Sequence, residues 1–128
     1  MNRNIEELSM GTFDEALKTE KLTVVEFYTT TCPNCAAVAP IYEAISNELK
    51  ENAVFAKVNA RENMDLALRY GIMGTPTFKF FCRGIPIGEI VGEVNATLLR
   101  NTIKDLIRHR NECASKSTRL VYEIDGYG

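Results

Sequence analysis

The chain has 128 residues, 45% of them hydrophobic and 25% charged, with 15 Lys+Arg against 17 Asp+Glu and a formal net charge of −2. That length suits one domain and can bury roughly two-thirds of the unfolded surface, which removes the need for a metal or disulfide staple, and the ordinary apolar share excludes wholesale disorder. The slightly acidic balance argues against nucleic acid as the main partner, and no run approaches the roughly 18–20 uncharged apolar residues of a membrane span.

The first apolar–acidic stretch, Ile5 to Leu8, reads as a short edge strand. Thr12 followed by Glu15 suggests a capping box for a helix whose stripe is Phe13, Ala16 and Leu17. Thr23 to Tyr28 (TVVEFY) is β-branched and aromatic, nearly continuous in apolar residues, and interrupted only by Glu26. A polar turn, Thr29 to Thr31, leads into CPNC. Pro33 suits the first turn of a helix running to about Lys50, with Val38, Ile41, Ile45 and Leu49 at helical spacing and Pro40 expected to kink it.

Ala53 to Asn59 (AVFAKVN) is a second central strand, and a short helix from about Asn63 to Tyr70 stops at Gly71. Thr77 to Cys82 and Pro86 to Val91 are close enough for a hairpin turned at Arg83-Gly84. Asn95 caps a last helix with Leu98, Leu99, Ile103, Leu106 and Ile107 on one face. The order is β-α-β-α-β-α-β-β-α, which predicts an α/β fold with a parallel core and an antiparallel terminal hairpin. Residues 109–128 match no element of this pattern, except that Leu120 to Ile124 could form a short strand.

Four cysteines are too few for a disulfide scaffold, and only Cys32 and Cys35 are close in sequence. A Cys-x-x-Cys pair opening a helix has a clear physical use. The helix dipole and the free N–H groups of the first turn favour an anion, so the first thiol is expected to ionise more readily than a free one. The second sulfur sits one turn further in, within reach to close a disulfide. Cys82 reads as an inert buried or semi-buried thiol and Cys113 as a plain free thiol. A zinc site from Cys32, Cys35, His109 and Cys113 is the rival use of the same residues, and the long intervening chain argues against it. His109 reads instead as a solvated helix-end residue. The expectation is no metal and no cofactor.

Several features occur in an order that resembles the thioredoxin family across roughly residues 5–108, with 109–128 as a C-terminal extension. They are Glu26 in VVEFY, CPNC, Pro40, Lys57 in the next strand, YGIMGTPTF with Pro76 after Thr75, the Gly84 turn, and Val91-Gly92. The resemblance implies a central mixed sheet of four to five strands flanked by helices. It implies a cis peptide before Pro76 beside a redox disulfide of Cys32 and Cys35, leaving the Thr75 backbone open to an extended substrate strand. The implied activity is protein-disulfide reduction by dithiol exchange. Cys32 would attack and Cys35 would resolve, with Glu26 as proton acceptor and Lys57 as its charge partner. Thr31, Pro33, Asn34, Gly74, Thr75, Pro76, Val91 and Gly92 would form the substrate-binding surface.

The implied partners are disulfide-containing proteins and a thioredoxin reductase or equivalent electron donor, with the protein acting as a monomer. Acidic residues in MNRNIEELSMGTFDEAL interrupt any leader-like run, so a cytoplasmic location is expected.

Four positions depart from the family pattern. Thr31 stands where Trp is usual, Pro33-Asn34 where Gly-Pro is usual, and Glu26 where Asp is usual. The intervening pair tunes the stability of the thiolate. Reduction potentials of such dithiols run from about −270 to about −120 mV, a span of roughly 7 kcal/mol. Asn34 is neutral, which points to the reducing end. A glutathione-linked, glutaredoxin-like protein and a non-catalytic binding module are the alternatives.

Overall fold

The computed structural model describes residues 4–92 and 94–109. The described elements are β1 (Ile5–Leu8), α1 (Phe13–Ala16), β2 (Leu22–Tyr28), α2 (Pro33–Leu49), β3 (Ala53–Asn59), α3 (Met64–Arg69), β4 (Thr77–Cys82), β5 (Ile85–Val91) and α4 (Ala96–Arg108). They build one mixed sheet in the order β1-β3-β2-β4-β5. β1, β3 and β2 run parallel, joined through helices. β4 is antiparallel to β2, and β5 to β4. The expected parallel core and antiparallel hairpin are both present. The hairpin turns at Arg83 (φ 54°) and Gly84 (φ 82°). Two consecutive positive φ angles match the right-handed strand twist; Gly84 adopts this without a Cβ penalty, whereas Arg83 does so at some steric cost.

Alternation along β2 divides the core. Val25 and Phe27 face one side, packed with Phe13, Leu66 and Phe81. Leu22 and Val24 face the other, under α2 and α4, with Phe55, Phe78, Phe80, Leu99 and Ile103. Glu26 and Tyr28 continue that second face toward the end of the strand.

α2 is seated by a residue that the aliphatic stripe overlooks. Val38 and Ile45 are buried as expected, while Ile41 and Leu49 are only partly so. The buried neighbour is Tyr42, whose hydroxyl lies 3.1 Å from the Val24 carbonyl oxygen and 2.7 Å from that of Ala56. Its ring meets Phe55 and Phe78 edge-on, with centroids 5.8 and 5.1 Å apart. Pinned over β2 and β3, α2 carries its N-terminus to the end of the sheet.

Several local expectations are corrected. Thr12 precedes α1, but its side chain caps nothing; Thr12 Oγ1 accepts the Ser9 N–H at 3.0 Å instead. A helix of four residues is entered by that tight turn, so the capping box with Glu15 does not form. Leu98 is 48% exposed. It lies about 100° around the helix from Leu99, off the stripe that Leu99 and Ile103 bury. Asn95 does cap α4, accepting the Leu98 N–H at 2.7 Å. Cys82 is buried at the end of β4, but it is not the expected free thiol, since no free cysteine occurs among the described residues. Cys113 and the predicted strand at Leu120–Ile124 lie outside the described residues.

Candidate active site

Cys32 is the N-cap of α2, with extended backbone (φ −105°, ψ 111°), and Pro33 opens the helix. The Cys35 N–H donates to Cys32 Sγ at 3.1 Å. Pro33 brings the helical φ and has no N–H to leave unpaired. The first cysteine therefore replaces the usual oxygen cap with a sulfur that faces the positive end of the helix. Cys32 and Cys35 are disulfide-bonded, with Cα atoms 5.2 Å apart. Cys35 is 6% exposed. Cys32 is half-buried, and Thr31, Pro33 and Asn34 are exposed around it. An accessible sulfur thus stands outside a buried partner, which is the asymmetry that attack and resolution require.

The segment before β4 completes the outer side of the site. The Thr75–Pro76 peptide is cis, as the resemblance implied. The Thr75 carbonyl oxygen lies 3.5 Å from Cys32 Sγ. The Thr77 hydroxyl donates to the Gly74 carbonyl at 2.6 Å, and the Gly92 N–H donates to the Pro76 carbonyl at 2.8 Å. Gly92 has φ +87°, a conformation that suits glycine. Pro76 is buried, Thr75 and Gly92 are half-buried, and Gly74 and Val91 are exposed. The structure thus sets Thr75 against Cys32, with Gly92 tied to Pro76 and Val91 paired with Thr77 on the next strand, while Thr31, Pro33 and Asn34 flank Cys32 in the chain. Met73, 93% exposed, adjoins Gly74.

Glu26 lies beneath the cysteines. It is 4% exposed and lines a cleft of about 270 Å³ with Tyr28, Cys32, Cys35 and Lys57. It stands directly across from Lys57 in the β2–β3 register. Burial above all pushes its carboxyl from 4.5 up to about 7; Lys57 pulls the value back down and the charge of Glu7 pushes it further up. Lys57 does not belong to Glu26 alone. Its Nζ is 3.9 Å from Glu7 Oε1 on β1 and 5.2 Å from the centroid of the Tyr28 ring. Glu7 and Tyr28 were missed. Their signal was parity: Glu7 stands two residues after the inward Ile5, and Tyr28 two after Glu26.

A larger open cleft of about 450 Å³ lies between α1 and the β4–β5 turn, lined by residues including Asp14, Leu17, Tyr70 and Arg83. It shares no residue with the cysteine cleft, and its charged groups already pair, Arg69 with Asp14 and Arg83 with Glu20. His109 is exposed at the C-terminal end of α4. No cluster of three metal-ligating side chains occurs among the described residues, and no described helix is long and apolar enough to cross a membrane.

Comparison with known proteins agrees with this geometry. The thioredoxin family model matches residues 4–105. Over 83 residues, 64% of this chain, the sequence is 41% identical to a protein disulfide-isomerase of Humicola insolens, and over 84 residues it is 42% identical to that of Oryctolagus cuniculus. The chain spans only 16% of the length of either relative. Among solved structures, the thioredoxin of Malassezia sympodialis superposes with a TM-score of 0.76 at 28% identity, covering 84% of this chain and 95% of that one. A mutant thioredoxin of Halobacterium salinarum gives 0.74 at 24% identity, covering 82% and 93%. With its fold, its cis-proline segment and its helix-capping cysteine pair, the chain belongs to the thioredoxin family and carries the CxxC disulfide of a thiol–disulfide oxidoreductase domain.

Proposed function

We propose that this domain reduces disulfides in protein substrates, and that Cys32 is the attacking sulfur, Cys35 the resolving one and Glu26 the proton acceptor. The observation that carries the reading is that three groups of graded burial line one cleft. Half-buried Cys32 sits at the helix cap, buried Cys35 behind it, and buried Glu26 below both in the same cleft.

Cys32 thiolate attacks one sulfur of a substrate disulfide. A Cys32–substrate bond forms, the substrate S–S bond breaks, and the other substrate sulfur leaves as thiolate and takes a proton from water. Cys35 then loses its proton to the Glu26 carboxylate and attacks Cys32. The Cys32–Cys35 bond forms, the mixed disulfide breaks, and the second substrate thiolate leaves and takes up a proton. Two electrons pass from the dithiol to the substrate. The Thr75 backbone beside Cys32 offers its polar groups to an extended substrate segment.

The reducing direction is supported by Pro33-Asn34, which places no cation between the cysteines, so the helix terminus alone favours the thiolate. A reducing, cytoplasmic setting and a reductase-type electron donor accompany that reading. The similarity to protein disulfide-isomerases favours a second one, in which the same chemistry runs toward oxidation or isomerisation. Equilibration with glutathione separates the two. A Cys32–Cys35 potential below about −230 mV supports the reductant, and one above about −200 mV supports the isomerase. Insulin reduction driven by a thioredoxin reductase, rather than by glutathione, is the expected activity. Cys35→Ser is expected to trap substrates on Cys32; a variant that captures none removes the exchange mechanism altogether.

A further inference from the structure

Three charged side chains line up across the parallel half of the sheet. Glu7 on β1 pairs in register with Lys57 on β3, and Lys57 pairs with Glu26 on β2. Direct neighbours across strands share a face, so one ammonium stands between two carboxylates. The two acids differ in surroundings. Glu26 is 4% exposed, whereas the Glu7 side chain is 49% exposed and that of Lys57 41%.

The outer acid holds the cation. Lys57 Nζ is 3.9 Å from Glu7 Oε1. Glu7 is itself braced, since the Tyr28 hydroxyl lies 3.0 and 2.9 Å from its two oxygens. The ring of the same tyrosine carries the ammonium at 5.2 Å. Tyr28 and Glu7 therefore form a seat for Lys57 at the solvent end of the row.

We propose that Glu7, braced by Tyr28, is a positioning residue for dithiol exchange: it holds the Lys57 ammonium at the outer end of the row and so leaves Glu26 able both to take and to return the Cys35 proton. The inference deepens the proposed role of Glu26 and rests on it. An ammonium seated on Glu26 would keep that carboxylate permanently ionised and a weak base. With no ammonium near, burial would keep it protonated and unable to accept anything. Sharing the cation places Glu26 between these limits. The groups that face it are Lys57 from β3, Glu7 from β1, Tyr28 from its own strand, and Cys32, Cys35 and the Tyr42 hydroxyl from α2. β4 contributes only apolar Phe78 at this level. Glu62 acts on Tyr28 rather than on Glu26.

The test is the titration of Glu26 in the full chain, followed by carboxyl ¹³C NMR with the Cys32–Cys35 disulfide closed so that neither thiol titrates. Glu26→Gln assigns the signal. Glu7→Gln is expected to lower the Glu26 midpoint by about one pH unit, a tenfold loss of proton affinity. Tyr28→Phe, which keeps the ring and removes the brace, should produce a smaller fall in the same direction. In a Lys57→Met background the effect of Glu7→Gln should shrink to less than half, leaving only the direct repulsion between the acids. An unchanged midpoint in Glu7→Gln, or an equal fall with and without Lys57, would overturn the proposal. The NMR readout is independent of turnover. Failure of Cys35→Ser to trap substrate would therefore remove the exchange mechanism while leaving the titration result standing.

Discussion

Two adjacent cross-strand rows on the same face of the sheet have opposite chemistry. The inner row runs Ile5, Phe55, Val24, Phe80; the next, two residues further along the parallel strands, runs Glu7, Lys57, Glu26, Phe78. Strand alternation aims both rows toward α2. The first meets the body of the helix and forms the core beneath it. The second lies toward the helix N-terminus, where Cys35 and the cleft replace apolar neighbours. Tyr42 stands between them, its ring against Phe55 and Phe78 and its hydroxyl on the strand carbonyls. Burial in the first row is a source of stability. In the second it sets the proton affinity of Glu26, because a desolvated carboxylate is costly.

The largest effect expected from breaking this contrast is in the apolar row. Phe55→Ala should cost about 3–5 kcal/mol in urea unfolding, through lost transfer energy and a cavity. A loss under about 1 kcal/mol would mean that the helix and sheet are not packed as described.

Glu26→Gln is the matching change in the charged row, and its signature is pH dependence. The folded-state value of about 7 lies above the ordinary 4.5, so the folded form binds the proton more tightly than the unfolded chain does. Stability is therefore full below pH 4.5 and falls as pH rises through 7. Wild type should lose about 3 kcal/mol between pH 4 and 8 relative to Glu26→Gln, measured with the disulfide closed. Parallel stability profiles for the two proteins would show that Glu26 is solvated.

Tyr42→Phe sharpens the boundary between the rows. It keeps the ring contacts and removes the hydroxyl from the Val24 and Ala56 carbonyls, at a cost of about 1–2 kcal/mol in the same unfolding assay. The smallest effect belongs to Glu7→Gln, whose exposed ion pair should change global stability by less than about 1 kcal/mol. A larger loss would assign Glu7 to the core instead of to the seat of Lys57.

Much of the architecture was legible because its signals are local. Continuous β-branched and aromatic runs marked β2 and β3, Asn95 marked the start of α4, and Pro33 after Cys32 marked the start of α2. The same local logic failed where a neighbour in space competes. Thr12 could cap a helix, but α1 is four residues long and the hydroxyl serves the Ser9 turn. Tyr42 was invisible to an aliphatic stripe, because its burial depends on two backbone carbonyls from different strands. Glu26 stood out as the lone acid in an apolar strand, whereas Glu7 and Tyr28 look like ordinary edge residues until the strands are placed side by side.

The order of elements, the cysteine pair at a helix start and the acid inside a core strand are all properties of short segments, and the sequence alone determined them. Tertiary structure decided which groups act on one another. Strand register set Lys57 between Glu7 and Glu26, and the seating of α2 put Cys35 above that row. The physical reason is range. Periodicity, propensity and capping act over a few residues, whereas burial and charge act through space and exist only once distant strands have paired.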